Sequence, residues 1–319
     1  MKDVFISTLQ TGDDFTSYFL LKEKNIREDS RGKNYLDLLL GDSSGDIQGK
    51  KWDIPDEEID ALSKLERGGI IKVRAVVTEW NGAKQLKVLR IRQTSAEDTI
   101  DRRDYFKAAP EDPAGMYDFV KGRAEGIADE DFRKVALHLL ETNREKLLYY
   151  PAAAKNHHAE YAGLLWHMKR MLLMAERWAE IYTFINRDIL VCGVISHDME
   201  KLNEMISDEN GFVSEYSFEG VLIGHLVQGA ATMAVLARDL SIPDEKRIML
   251  EHMLISHHYE PAFGSPKRPM FPEAEALHYL DMIDAKMYDF EDALAGVSPG
   301  GFSERTWTLD NRRLYKRTF

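Results

Sequence analysis

Cysteine is almost absent: Cys192 stands alone in 319 residues. One thiol forms no internal disulfide and no cysteine-based zinc cage, which predicts a reducing, cytoplasmic setting. Long apolar runs are missing too. No stretch approaches the roughly 20 residues that a membrane-crossing helix needs, so no membrane partner is expected. The opening MKDVFISTLQTGDDF carries acids early and lacks an apolar segment, and is not expected to be a secretory signal. Positive charge is scarce, with 42 Lys+Arg against 54 Asp+Glu and a net charge of −12. That argues against broad non-specific binding to nucleic acid. The deficit is local: residues 1–95 hold 16 basic and 16 acidic side chains. The remaining, acidic part could still handle an anionic substrate if bound divalent cations supply positive charge.

Residues 1–95 read as β. SYFLLKEKNI (17–26), NYLDLLLGD (34–42), IIKVRAVVTEW (70–80) and QLKVLRIRQ (85–93) are rich in β-branched and aromatic residues. Asn81-Gly82 between the last two signals a type I′ hairpin. PDEEIDALSKLERG (55–68) reads as one helix, opened by Pro55 and acids and closed before Gly68-Gly69. Short strands around one helix predict a small all-β barrel of the OB type, with an SH3-like barrel as the alternative. Residues 96–150 read as a linker and leading helices, the charged 96–112 ending at Pro110 and Pro113. From Gly115 onward, apolar periodicity over 129–149, 158–184, 188–206, 218–240, 244–258 and 273–294 predicts an all-α bundle.

The ten histidines carry the functional signal. The run ILVCGVI (189–195) drives straight into SHDMEKL (196–202), and burying such ionisable groups without partners costs several kcal/mol. His167 lies in GLLWHMKRMLL, His225 follows Gly224, His257-His258 closes MLISHH, and Asp281 lies in LHYLDMIDAKM. Imidazole and carboxylate are the ligands that Mn, Fe, Co, Ni and Zn share, and a pair of ions needs a bridging carboxylate. His167, His197, Asp198, His225, His257, His258 and Asp281 could supply such a site. His138, His252 and His278 read as core histidines.

The ordered set, together with EGVLIGH, LISHHYEPAFGSPKRP, EAEALHYLDMIDAKM and the C-terminal LDNRRLYKRTF, resembles the YhaM family of 3′→5′ exoribonucleases, built from an OB-fold module and an HD-type metal-dependent phosphohydrolase. The match runs from about residue 150 to the end, which makes 151–319 the HD domain, and 1–95 agrees more loosely with the OB module. The resemblance implies that His167, His197, Asp198 and Asp281 hold one divalent ion. Asp198 would bridge to a second ion held by His225 and by His257 or His258. Lys201 would contact the scissile phosphate or assist the leaving group. Mn²⁺ is the expected ion, with Co²⁺, Fe²⁺, Ni²⁺ or Mg²⁺ as alternatives. The family usually has Gly where this chain has Glu200, which bears on rate and metal preference.

Further candidates surround that set. Asp284, three residues after Asp281, could orient a ligand histidine. His157-His158 could cap a helix or line the substrate path. Lys267 and Arg268, in the loop 261–272, could grip a phosphate or face solvent. On the barrel, Phe19, Tyr35, Trp52 and Trp80 are candidate stacking rings, and Lys72, Arg74, Lys84, Lys87, Arg90 and Arg92 candidate backbone contacts. The expected partner is single-stranded RNA, or single-stranded DNA, with a homo-oligomer left open. An HD nucleotidase or cyclic-nucleotide phosphodiesterase is the alternative within hydrolases. A single-strand-binding replication or regulatory factor is the alternative outside them.

Overall fold

In a computed structural model, which describes residues 2–29, 31–95, 97–154 and 158–319, the β-rich runs become five strands. They are β1 (Asp14–Glu28), β2 (Asn34–Asp42), β3 (Gly45–Lys51), β4 (Ile70–Trp80) and β5 (Ala83–Gln93), with helix α1 (Asp56–Ser63) between β3 and β4. Side chains alternate across a strand. Phe19 and Leu21, then Leu36, Leu38 and Leu40, then Ile71, Val73, Ala75 and Val77 therefore all point inward and are buried. β1 is long enough to pair with β4 along its first half and β2 along its second, with a register shift between Leu21 and Glu23. A parallel pairing of β3 with β5 closes the barrel in the order β1-β2-β3-β5-β4. That order, with a helix before β4, is the OB-type barrel expected. The Asn81-Gly82 hairpin forms as read: both residues have positive φ (50° and 79°) and Trp80 faces Ala83. β3 escaped individual notice because GDIQGKK turns only Ile47 and Gly49 inward.

The chain divides into two compact units, Met1–Lys107 and Ala108–Phe319. The second contains α2 (Pro113–Glu125), α3 (Glu130–Thr142), α4 (Arg144–Leu147), α5 (Gly163–Ile181), α6 (Arg187–Ser196), α7 (Lys201–Glu204), α8 (Phe218–Leu222), α9 (His225–Asp239), α10 (Asp244–Ser256) and α11 (Pro272–Ala295). Every residue from Ile189 to Ser196 is buried, which explains a run apolar on all faces: α6 is the central helix of the unit. Among the described residues, no helix is long and apolar enough to cross a membrane.

The expectation of an all-α second part needs correction. β6 (Met205–Ser207) and β7 (Val213–Tyr216) form a two-stranded sheet. Asn210-Gly211 lies in its turn, where Gly211 has φ 76° and the Asp208 carboxylate accepts from Asn210 and Phe212 N–H. The reading of 188–206 as one helix ran across this start. Likewise 218–240 is broken at Gly224, φ 77°, into α8 and α9.

Candidate metal centre

The helices deliver their histidines by their ends. α6 stops at Ser196, and a helix leaves its last carbonyls without internal partners. His197, next in the chain, donates from Nδ1 to one of them, Val194 O, at 2.8 Å. His257 repeats the device at the end of α10, with Nδ1 to Leu254 O at 2.8 Å. His258 Nδ1 meets Phe263 O at 2.8 Å. His225 opens α9, and both its backbone N–H (3.1 Å) and its Nδ1 (3.0 Å) meet the Glu204 carboxylate. His167, inside α5, places Nδ1 2.8 Å from Asp284 Oδ2. All five rings use Nδ1 for a structural bond and turn Nε2 toward one centre. This is the arrangement in which a second partner fixes the tautomer and leaves a lone pair for an ion. The C-terminal ends of α6 and α10 also bring negative helix poles to that centre, favouring cations.

Asp198 sits in the middle with its two oxygens facing different ways. Oδ2 lies 3.2 Å from His197 Nε2 and 3.8 Å from His167 Nε2; Oδ1 lies 3.5 Å from His225 Nε2 and 3.8 Å from His257 Nε2. Asp281 Oδ1 is 3.3 Å from His167 Nε2. His167, His197 and Asp198 form one group with donor atoms within 4.8 Å of one another, His225, His257 and His258 a second, and His197, His257 and Asp281 a third. Bonds of about 2.1 Å put donors around one ion roughly 3–4 Å apart, so this set could hold one ion or two. Four buried atoms at the centre have no hydrogen-bond partner: Asp198 Oδ1 and the Nε2 atoms of His197, His225 and His257. Buried polar atoms are rarely left so; cations at the centre would satisfy all four.

The electrostatics agree. Burial alone would raise the pKa of Asp198, yet His197 and Lys201 hold it well below the carboxylate range. Asp281 and Asp284 are depressed too: burial works against this, but His167 lowers the first, and His158 and His167 the second. His167 shows the converse. Burial opposes its charged form, but the hydrogen bonds it donates to Asp281 and Asp284 win and hold its pKa up at about 10. The carboxylates thus demand positive charge at that ring. Lys201 is buried with Nζ 2.7 Å from Asp198 Oδ2. Its pKa is raised because Asp198 and Asp281 outweigh burial, so it stays cationic.

Of the further candidates, Asp284 accepts from His158 (Nε2, 2.7 Å) and His167, and pairs through Oδ1 with Arg170 Nε at 2.6 Å. His158 therefore lies behind the cluster, and His157 lies outside the described residues. Lys267 and Arg268 are exposed; Arg268 pairs with Glu260 (3.0 Å) and covers the Tyr259 ring, and neither lines the cleft above the cluster. Glu204 and Arg170 were not foreseen. Glu204 could have been suspected from its place just past Lys201, and Arg170 from standing one turn after His167. His278, read as core, lines the cleft and donates from Nδ1 to His257 O at 2.7 Å. His138, also read as core, is exposed.

On the barrel, Phe19 is core rather than a stacking ring. Tyr35 and Trp52 stack with ring centres 4.6 Å apart, and Lys50 Nζ stands about 5.5 Å from both. Trp80, at the hairpin tip, is 67% exposed. A separate groove is lined by Lys51, Lys72, Arg74, Arg90 and Arg92, two of which, Lys72 and Arg92, are bound to Asp98.

No family model matches the chain. A protein of Bacillus pumilus described as 3′-5′ exoribonuclease YhaM is 37% identical over 315 residues, 98% of each chain. Those of Bacillus velezensis and Bacillus subtilis strain 168, described in the same words, are 36% identical over 312 and 311 residues, 97% of each chain. The chain belongs to the YhaM family. Membership in the YhaM family thus extends along both units, where the motifs had made the case chiefly for the second. Among solved structures, the second OB-fold domain of replication protein A from Methanococcus maripaludis covers 31% of this chain and 98% of its own, at 19% identity and a TM-score of 0.23; strand order, not that likeness, identifies the barrel.

Proposed function

We propose that this YhaM-family chain is a 3′→5′ exoribonuclease whose helical unit is an HD-type phosphohydrolase domain working with two divalent ions, Mn²⁺ first among them. It would release nucleoside 5′-monophosphates from single-stranded RNA, with single-stranded DNA as a second substrate. The observation that carries the reading is the central Asp198, one oxygen toward His167 and His197 and the other toward His225 and His257. His167, His197, Asp198 and Asp281 would hold one ion. Asp198, His225, His257 and His258 would hold the other. Ions so placed would neutralise the phosphodiester and bring the pKa of a water near neutrality.

The side chains do the rest. Lys201, kept cationic beside Asp198, would stabilise charge on a non-bridging oxygen or on the leaving 3′ oxygen. Asp284 and Glu204 fix the rings of His167 and His225. Glu200 is half-buried and bonded to Asn203 at 2.7 Å, so its carboxylate is engaged within its own turn. The Tyr35–Trp52 pair with Lys50, and Trp80, are suited to hold bases of a single strand, and a strand held on a linked module meets the site at a raised effective concentration.

The test is a time course on 5′-labelled single-stranded RNA. With Mn²⁺, a ladder shortening from the 3′ end is expected, and none with EDTA. RNA that is bound but stays intact under every metal would overturn the reading. Glu204→Ala frees the His225 ring, and loss of such an orienting partner costs about 10–100-fold in metal affinity or activity. Titration of Mn²⁺ against cleavage rate is expected to show the shift, while an unmoved midpoint would remove Glu204 from the site.

A further inference from the structure

The cleft above the cluster, about 470 Å³, is lined by two chemically different kinds of side chain. Lys201, His225, His258 and Asp281 are polar, whereas Phe263 and Tyr216 supply aromatic rings. Phe263 is 71% exposed and Tyr216 is 47% exposed. Both rings are positioned by the backbone that positions ligand histidines. The carbonyl of Phe263 receives His258 Nδ1, and the turn closes at Gly264 with φ 97°. Tyr216 ends β7 opposite Met205, the residue after Glu204, whose carboxylate holds His225. The backbone that carries each ring is thus tied to a histidine.

We infer that Phe263 and Tyr216 form a base platform, on which the nucleobase at the 3′ end of the strand stacks while its phosphate lies against Lys201 and the cluster. This rests on the exoribonuclease reading of the same site and names the part of the substrate gripped there. The continuity of rings and polar groups in one cleft identifies the occupant: a nucleotide presents an apolar π face and an anionic phosphate together. Every base has such a face, so the platform tolerates all sequences.

Two 5′-labelled oligoribonucleotides that differ only in a 3′-terminal base, present or abasic, test this with the full chain and Mn²⁺. One base stacked on an aromatic ring corresponds to about a 5- to 150-fold preference in kcat/KM for the intact terminus. In Phe263→Ala, and further in the double variant with Tyr216→Ala, the preference is expected to fall toward one, while Phe263→Trp retains it. Because the preference is a ratio within each variant, reduced folding does not mimic the result. A wild-type preference near one, or a preference unchanged in the double variant, overturns the platform. The same holds if the preference persists while sedimentation shows that the rings serve contact with a second copy. Failure of the wild type to cleave either strand overturns instead the exoribonuclease reading itself.

Discussion

Asp198→Ala is expected to leave less than about one-thousandth of the wild-type kcat on single-stranded RNA. Cations polarising a phosphoryl group contribute several kcal/mol, and each 1.36 kcal/mol is a factor of ten. In the proposed site Asp198 would serve both ion positions, so its loss would remove both contributions. Metal analysis of the purified variant is expected to show the content falling for both positions rather than for one. Loss of a group at one position only, such as Asp281→Ala, is expected to leave the second ion in place. The substitution also strands Lys201, since a buried ammonium that loses its partner costs about 3–5 kcal/mol. Asp198→Asn keeps a hydrogen-bond acceptor beside Lys201 and separates the two effects. Near-normal thermal stability with absent cleavage is the expected result for Asn, and substantial cleavage by Asn would take the bridging role from Asp198.

Gly163→Ala is expected to be among the most damaging substitutions outside the cluster, although it adds one methyl group. A Cβ at Gly163 would run into the backbone carbonyl of His158, closer than real Cβ atoms come. That carbonyl also receives Ala152 N–H at 3.0 Å. The turn is already committed, with His158 and Ala162 both at positive φ (53° and 57°), so backbone has to move. Overpacking of this kind costs about 1–3 kcal/mol, occasionally more. It would displace His158 from Asp284 and tilt the start of α5, which carries His167. A clear fall in melting temperature together with loss of cleavage is expected. Gly193→Ala is the control. Its Cβ would meet the end of the flexible Met253 side chain, which can swing aside, so a smaller fall is expected there. Equal stability of the two variants would show that the 158–163 turn yields more easily than its contacts imply.

The cluster was legible because its members have strong local signatures. Ser196-His197-Asp198 follows the seven-residue run 189–195, His225 follows a glycine at a helix start, and His257-His258 ends a helix. What supports them was less legible. Glu204 and Arg170 sit among other charged residues, and their partners lie more than 20 and more than 100 positions away, at His225 and Asp284 respectively. His278 shares the apolar helical surroundings of a core histidine; only the packing of α11 turns it to the cleft. On the barrel, alternation with Leu21 was enough to place Phe19 inside, but the pairing of Tyr35 on β2 with Trp52, just past β3, needs their register. The sheet of β6 and β7 was overlooked because apolar periodicity was carried through a polar break, although Asn210-Gly211 marked a turn.

The spacing of the ligands along the chain has a consequence for the order in which the two units come into being. All strand partners of the barrel lie between residues 14 and 93. The cluster spans His167 to Asp281, and the orienting Asp284 lies beyond it. A chain emerging from the ribosome therefore has every strand of its barrel before it has any member of the cluster, and gains the last member only with α11. Truncation or arrest after β5 and before α11 would leave the strands of the barrel without the complete cluster. The candidate metal centre is complete only once α11 has been made.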